Sequence, residues 1–156
     1  MSPGPIARPD RWQRPPQRSK ILSLTRGGGI AERDGAMARL DVIETHIGTG
    51  PTLEIRTGAA PANCAAADAG TLLCTIALPS DWLQAASAGA IAKNGTWSGT
   101  GAAAGTAAHY RVKQGGTCHI QGTVGLGSGD LSLDNTSIGV GQAVAIASWS
   151  VNEPNA

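Results

Sequence analysis

Phenylalanine is missing from the 156 residues and tyrosine occurs once, so aromatic side chains make up only 3% of the chain. Without those fillers the interior must be built from Ala, Val, Leu, Ile and four tryptophans, set among 22 glycines. A core of this kind is thin for its length. It favours oligomerisation or docking on a larger surface, because a small domain removes little apolar area from water. Long apolar runs are absent as well, so no membrane span is expected. At the N-terminus Pro3, Pro5, Pro9, Pro15 and Pro16 break up any apolar stretch of a secretory signal, and classical secretion is not expected either.

Charge is sparse and unevenly placed. Residues 1–26 carry Arg8, Arg11, Arg14, Arg18, Lys20 and Arg26 against Asp10, a balance of +5, and the formal total of +1 leaves −4 for the rest. A basic arm can touch nucleic acid or an acidic protein. Spaced charges with Trp12 as their one interleaved aromatic make a poor nucleic-acid footprint, and no nucleic-acid partner is expected. Cys64, Cys74 and Cys118 form no CxxC pair, and an odd number cannot all be bridged within one chain. They read as buried or half-buried thiols in a protein assembled in a reducing cytosol. His46, His109 and His119 join them as conceivable zinc ligands, but the close ligand pairs of structural zinc sites are missing, so no metal is expected.

The chain divides into three parts. Residues 1–29 combine proline, arginine and a glycine run around the short apolar patch Ile21, Leu22 and Leu24, a composition that reads as an arm ordered only by a partner. Met37 offers an alternative start that would remove this arm. Residues 30–48 read as one amphipathic helix over Glu32–Ile47: Met37, Leu40, Ile43 and Ile47 recur at helical spacing, Gly48 suits a left-handed cap and Pro51 blocks continuation. Its apolar stripe packs on the sheet or on a neighbouring subunit.

Residues 49–156 read as all-β. Thr52–Arg56, Thr71–Leu78, Ala107–Lys113, Thr117–Val124 and Gln142–Val151 are the clear strands, and Ala90–Lys93, Gly95–Ser98 and Leu131–Leu133 the weaker ones. In Ala107–Lys113 the alternation turns Tyr110 and Val112 inward and leaves His109, Arg111 and Lys113 on the solvent side. Along the last strand, Val144 and Ile146 face one way, and Ala143, Ala145, Ala147, Trp149 and Val151 the other. The expected fold is therefore mainly β: an antiparallel β-sandwich of about seven or eight short strands with one N-terminal amphipathic helix.

Chemistry-bearing motifs are weak. No nucleophile elbow or cysteine-protease signature occurs. Gly125, Gly127 and Gly129 lack the GK[ST] ending and following helix of a phosphate loop and read as a mobile hairpin loop. Asp130 and Asp134 would share a face of a strand, as a carboxylate pair can, yet they also read as ordinary turn formers. Trp82, Trp97 and Trp149 would stack on a sugar if exposed in a groove, the mark of a carbohydrate-binding module at a host surface. In a chain without phenylalanine they read first as core or interface anchors.

Three segments in order carry a resemblance. Leu53, Glu54, Ile55, Arg56, Thr57, Gly58, Ala59, Ala60 and Pro61 resemble the "L-x-I-Y-T-G-x-x-P" opening of a family of small structural proteins of tailed bacteriophages. Gly70, Thr71, Leu72 and Leu73, with Ile76, Ala77 and Leu78, resemble its "G-T-L-L-x-x-x-x-L" element. Asp130 through Ile138, with Gly141 and Gln142, resemble its closing element. Together they cover most of residues 40–151, departing from the pattern at Arg56, where tyrosine is usual, and in the arm before Met37. The resemblance implies a non-enzymatic virion component without cofactor or catalytic residues, assembled in the bacterial cytoplasm. Head decoration is the first expectation, favoured by glycine-alanine loops such as Gly99–Ala108, and tail, neck or fibre attachment the second. The expected partner is the major capsid protein or a neighbouring virion protein, met by a homo-oligomer with a trimer favoured. Met37, Leu40, Ile43, Ile47, Trp82, Trp97 and Trp149 are the candidate interface residues.

Overall fold

A computed structural model describes residues 28–153, with side chains described from Gly35 onward. Residues 1–27, most of the expected arm, lie outside the described residues. Helix α1 spans Gly28–Ile47 and so begins inside the glycine run assigned above to the arm. Gly48 ends it in the left-handed region at φ 97°, donating its N–H to the Glu44 carbonyl at 2.8 Å. Leu40 and Ile47 are buried, while Met37 and Ile43 are half-buried.

The rest is strand and turn. β1 (Thr52–Arg56), β2 (Leu72–Ala77), β3 (Ala90–Ala92), β4 (Ser98–Thr100), β5 (Gly105–Thr106), β6 (His109–Gln114), β7 (Thr117–Leu126), β8 (Leu131–Leu133), β9 (Ser137–Ile138) and β10 (Ala143–Asn152) follow in order. The main sheet runs β2-β1-β6-β7-β8-β10-β3, with β4 also paired to β10, and β5 pairs with β9 separately. It curls until its ends approach: Cys74 bridges to Gly101, and Ala102 N–H donates to the Leu73 carbonyl at 2.7 Å. The architecture is the expected mainly-β, sandwich-like one, with the helix packed against β3.

Four local expectations are corrected. The segment Gly99–Ala108 is no free loop but the seam where the sheet closes: a Cβ at Gly101 would strike the Gly139 carbonyl oxygen, and one at Gly105 would press on Leu73 and Thr57 at 2.9 Å. Only glycine allows that approach. In β10 a bulge between Ile146 and Ser148 shifts the register, so Trp149 faces inward together with Val144 and Ile146. The glycine loop after β7 makes no hairpin, because Val124, Gly125 and Leu126 pair in parallel with Leu131, Ser132 and Leu133. A parallel return normally needs a long crossover. Here Gly127 and Gly129, at φ 65° and 82°, turn the chain back, while the Asp130 carboxylate accepts from Thr123 N–H and Oγ1 at 2.8 and 2.9 Å. The fourth correction concerns β6, whose outer residues are buried.

The core is centred on Trp82, Trp97 and Trp149, whose ring centroids lie 5.6–6.1 Å apart. Their indole N–H groups donate to Gly48 O, Asn94 O and Tyr110 Oη respectively, so none is buried unpaired.

Candidate functional site

Strand β6 explains why its cations are hidden. The alternation places Tyr110 and Val112 in the core and His109, Arg111 and Lys113 on the opposite face, yet His109 is 0% and Arg111 1% exposed. The segment Gly58–Gly70, between β1 and β2, lies over that face. It covers what the strand pattern alone assigns to solvent.

Side chains rising from the sheet hold this segment down. Arg111 Nη2 donates to the carbonyls of Asn63, Cys64 and Ala66 at 3.0–3.2 Å, and Gln121 Nε2 donates to Pro61 O at 2.6 Å. His109 Nδ1 lies 2.8 Å from Gly58 O, a contact that requires the proton on Nδ1 because a carbonyl can only accept. Asp68 brings one carboxylate to three cations: Arg111 and Lys113 at 2.5 Å and Arg56 at 3.1 Å. Glu54 completes the network against Arg56 at 2.8 Å and Lys113 at 2.9 Å. The hydrogen bond from Lys113 is the main force holding the Asp68 carboxyl below its usual range, with Arg111 and Arg56 adding to it against the opposing effect of burial.

A covalent tie completes the clamp. Cys64 of the covering segment and Cys118 of β7 form a disulfide, with Cα atoms 5.1 Å apart. This overturns the expectation of thiols throughout: Cys74 alone is free, buried in β2, and burial raises its pKa. Spacing could not reveal the pair. It exists because the covering segment, whose shape is set by tertiary contacts, carries Cys64 onto β7.

The interface candidates fare differently. Trp82, Trp97 and Trp149 are 0–2% exposed, so they serve the core and offer neither a surface anchor nor a sugar platform. The helix stripe is spent inside the chain: Leu40 and Ile47 join the core, and Ile43 packs against it. Polar side chains fix the same helix, since Glu44 accepts from the N–H groups of Trp82 and Leu83 at 2.7 and 3.3 Å, and Asp41 from that of Ala86 at 2.7 Å. Met37, like Ile43, is half-buried. Among the described residues, the large apolar side chains that do face outward are Val42, Leu126 and Val140.

Two histidines meet without a signal in sequence. His46 of α1 and His119 of β7 stand edge to face, centroids 6.0 Å apart, beside an apolar groove of about 290 Å³ lined by Ile43, Ile47, Ile120 and Val151. Among the described residues no three His, Cys, Asp or Glu side chains gather as metal ligands. Asp130 is engaged by Thr123, and Asp134 lies at the far end of β8. Comparisons with protein-family models, curated proteins and solved structures returned no match.

Proposed function

We propose that the protein is a non-catalytic structural component of a tailed-phage particle, with head decoration as its first position and tail, neck or fibre attachment as the second. The observation that carries this reading is the use made of its chemistry-bearing side chains. His109, Arg111, Lys113 and Asp68 are consumed in clamping one segment onto the sheet, Glu54 pairs with Arg56 and Lys113 beneath it, and the cysteine pair cross-links the same place. Such a body is built to persist rather than to turn over a substrate. A disulfide also suits a particle that leaves the reducing cytosol for an oxidising exterior.

The residues behind the phage resemblance have structural jobs of the same kind. Leu53 and Ile55 are core positions of β1, Gly58 begins the covering segment at φ 73°, and the Pro61 carbonyl receives Gln121. Arg56, standing where tyrosine is usual, joins the ion network. The expected partner is the major capsid protein or a neighbouring virion protein, contacted by a homo-oligomer.

Density-gradient particles from a lysate of the encoding phage or prophage, quantified by mass spectrometry against their major capsid protein, test the proposal. Hundreds of copies per particle support head decoration, and a few to a few dozen move the chain to the neck, tail or fibres. Absence from the particle overturns the reading.

A further inference from the structure

The attachment of Gly58–Gly70 is unusual in kind. Among the described residues, no backbone-to-backbone hydrogen bond joins this segment to the strands beneath it; its own such bond is internal, from Ala66 N–H to Asn63 O at 3.2 Å. At its base Thr57 N–H donates to Thr71 O at 3.0 Å and Thr71 N–H to Thr57 Oγ1 at 2.9 Å, so the two ends are fastened to each other. Both end glycines have positive φ, 73° at Gly58 and 72° at Gly70, and each can swing through backbone angles closed to other residues. Between these hinges, side chains and one disulfide hold the segment.

The covered face is also the least satisfied part of the interior. Among the described residues, the buried side-chain atoms without a hydrogen-bond partner are His109 Nε2, Arg111 Nε and Gln121 Oε1, and all lie on this face. Arg111 and Gln121 are direct cross-strand partners, and His109 is two positions along β6 from Arg111. Each orphaned group would gain by meeting water, so they all favour an open arrangement. Against them stand the ion pairs of Asp68, a carboxylate still 34% exposed, and the Cys64–Cys118 bond.

We propose that Gly58–Gly70 is a redox-latched flap: with Cys64–Cys118 joined it seals the polar face of β6 and β7, and with the bond reduced it opens about Gly58 and Gly70 while the sheet stays folded. Opening begins when a thiol reductant transfers two electrons and two protons to the protein. The S–S bond breaks, Cys64 and Cys118 each gain a hydrogen, and a dithiol reductant closes to its own disulfide. Closing is the reverse, with a small-molecule disulfide as oxidant and two thiols as its product. The half-buried positions of Cys64 and Cys118, beside an open depression of about 370 Å³ that also reaches Asp68, Arg111 and Lys113, give such a reagent its approach. The device does not depend on where the protein resides. In a virion component it would leave the chain unlatched during assembly and latched after release.

Amide hydrogen exchange on the full chain tests the flap, with oxidised protein compared with the same protein held in a dithiol. The Ala65 and Ala66 amides, which donate to Asn63 and carry the segment's protection, are expected to exchange at least about tenfold faster on reduction, while those of β1, β2 and β10 keep their protection. Addition of glutathione disulfide should restore the oxidised pattern. A Cys64→Ser/Cys118→Ser variant should match the reduced protein and ignore both reagents, and Cys74→Ser should behave as the parent. Should the double variant fail to fold, reduction of the folded parent still reads the flap directly. Unchanged exchange at Ala65 and Ala66 after alkylation has proved both thiols free would overturn the proposal, as would equal acceleration of every strand.

Discussion

Raising the pH tests the packing around the tryptophans through a single reporter, because Tyr110 is the chain's one tyrosine. Its side chain is 2% exposed, and Trp149 Nε1 donates to its oxygen at 2.7 Å. Burial pushes the phenol from 10.0 up to about 12 and the Asp130 charge adds to this, while the indole hydrogen bond partly offsets it. That displacement corresponds to roughly 3 kcal/mol in favour of the protonated form. A folded-state value raised above the unfolded one gives stability that is fully present below pH 10 and is lost as the pH rises toward 12. Tyrosinate absorbance near 295 nm follows this proton alone, with near-UV circular dichroism reporting whether the tryptophan environment survives. The expected curve is flat through the ordinary phenol range and rises near 12, or rises earlier only together with loss of the near-UV signal. A reversible midpoint at about 10 in protein that keeps its native near-UV spectrum would refute the reasoning, since an ordinary value means a solvated phenol. Tyr110→Phe should abolish the absorbance change. By leaving the Trp149 N–H buried without an acceptor, it should also cost about 1–3 kcal/mol, a fall of roughly 3–10 °C in Tm by calorimetry.

Three further outcomes are expected. Gly70→Ala should destabilise the fold by about 2 kcal/mol or more in urea denaturation, because its φ is 72° and a Cβ would strike the Thr57 carbonyl; Gly116→Ala, at φ 85° in open space, should cost about 1 kcal/mol. Asp68, held below the ordinary value of 3.8, contributes stability that is full above that value and disappears as the pH falls through its lowered folded-state pKa; Asp68→Asn should flatten this acid limb of a Tm-against-pH curve. Cys74, buried with its pKa raised, should resist a thiol reagent in native oxidised protein and label stoichiometrically in denaturant, and rapid native labelling would contradict its placement.

The strands were legible where one face meets the core and the other meets water. Leu53 and Ile55 alternate cleanly, and β1 has the bounds that pattern predicts. The helix was legible from Met37, Leu40, Ile43 and Ile47, closed by Gly48. Legibility failed where a second layer covers the outer face. His109, Arg111 and Lys113 follow the alternation of a half-exposed strand faithfully, but the burial of their face depends on a segment more than forty positions away in sequence, as the bonds from Arg111 to Asn63, Cys64 and Ala66 show. The disulfide was hidden for the same reason. Trp149 was misplaced by one residue's worth of bulge, which reverses every inward-outward assignment after it.

By itself the sequence determined the class of the fold, the helix with its glycine cap, most of the strands, and tryptophan as the large filler, but not whether its rings serve the core or an interface. These depend on local periodicity and on which side chains can fill a core, and both are properties of composition and spacing. Tertiary structure alone decided the parallel return of β8, the glycine seam, the meeting of His46 with His119, and the clamped flap over β6. Each depends on which distant segments come to lie against one another, a choice made by the free energy of the whole packed chain and not by any short stretch of it.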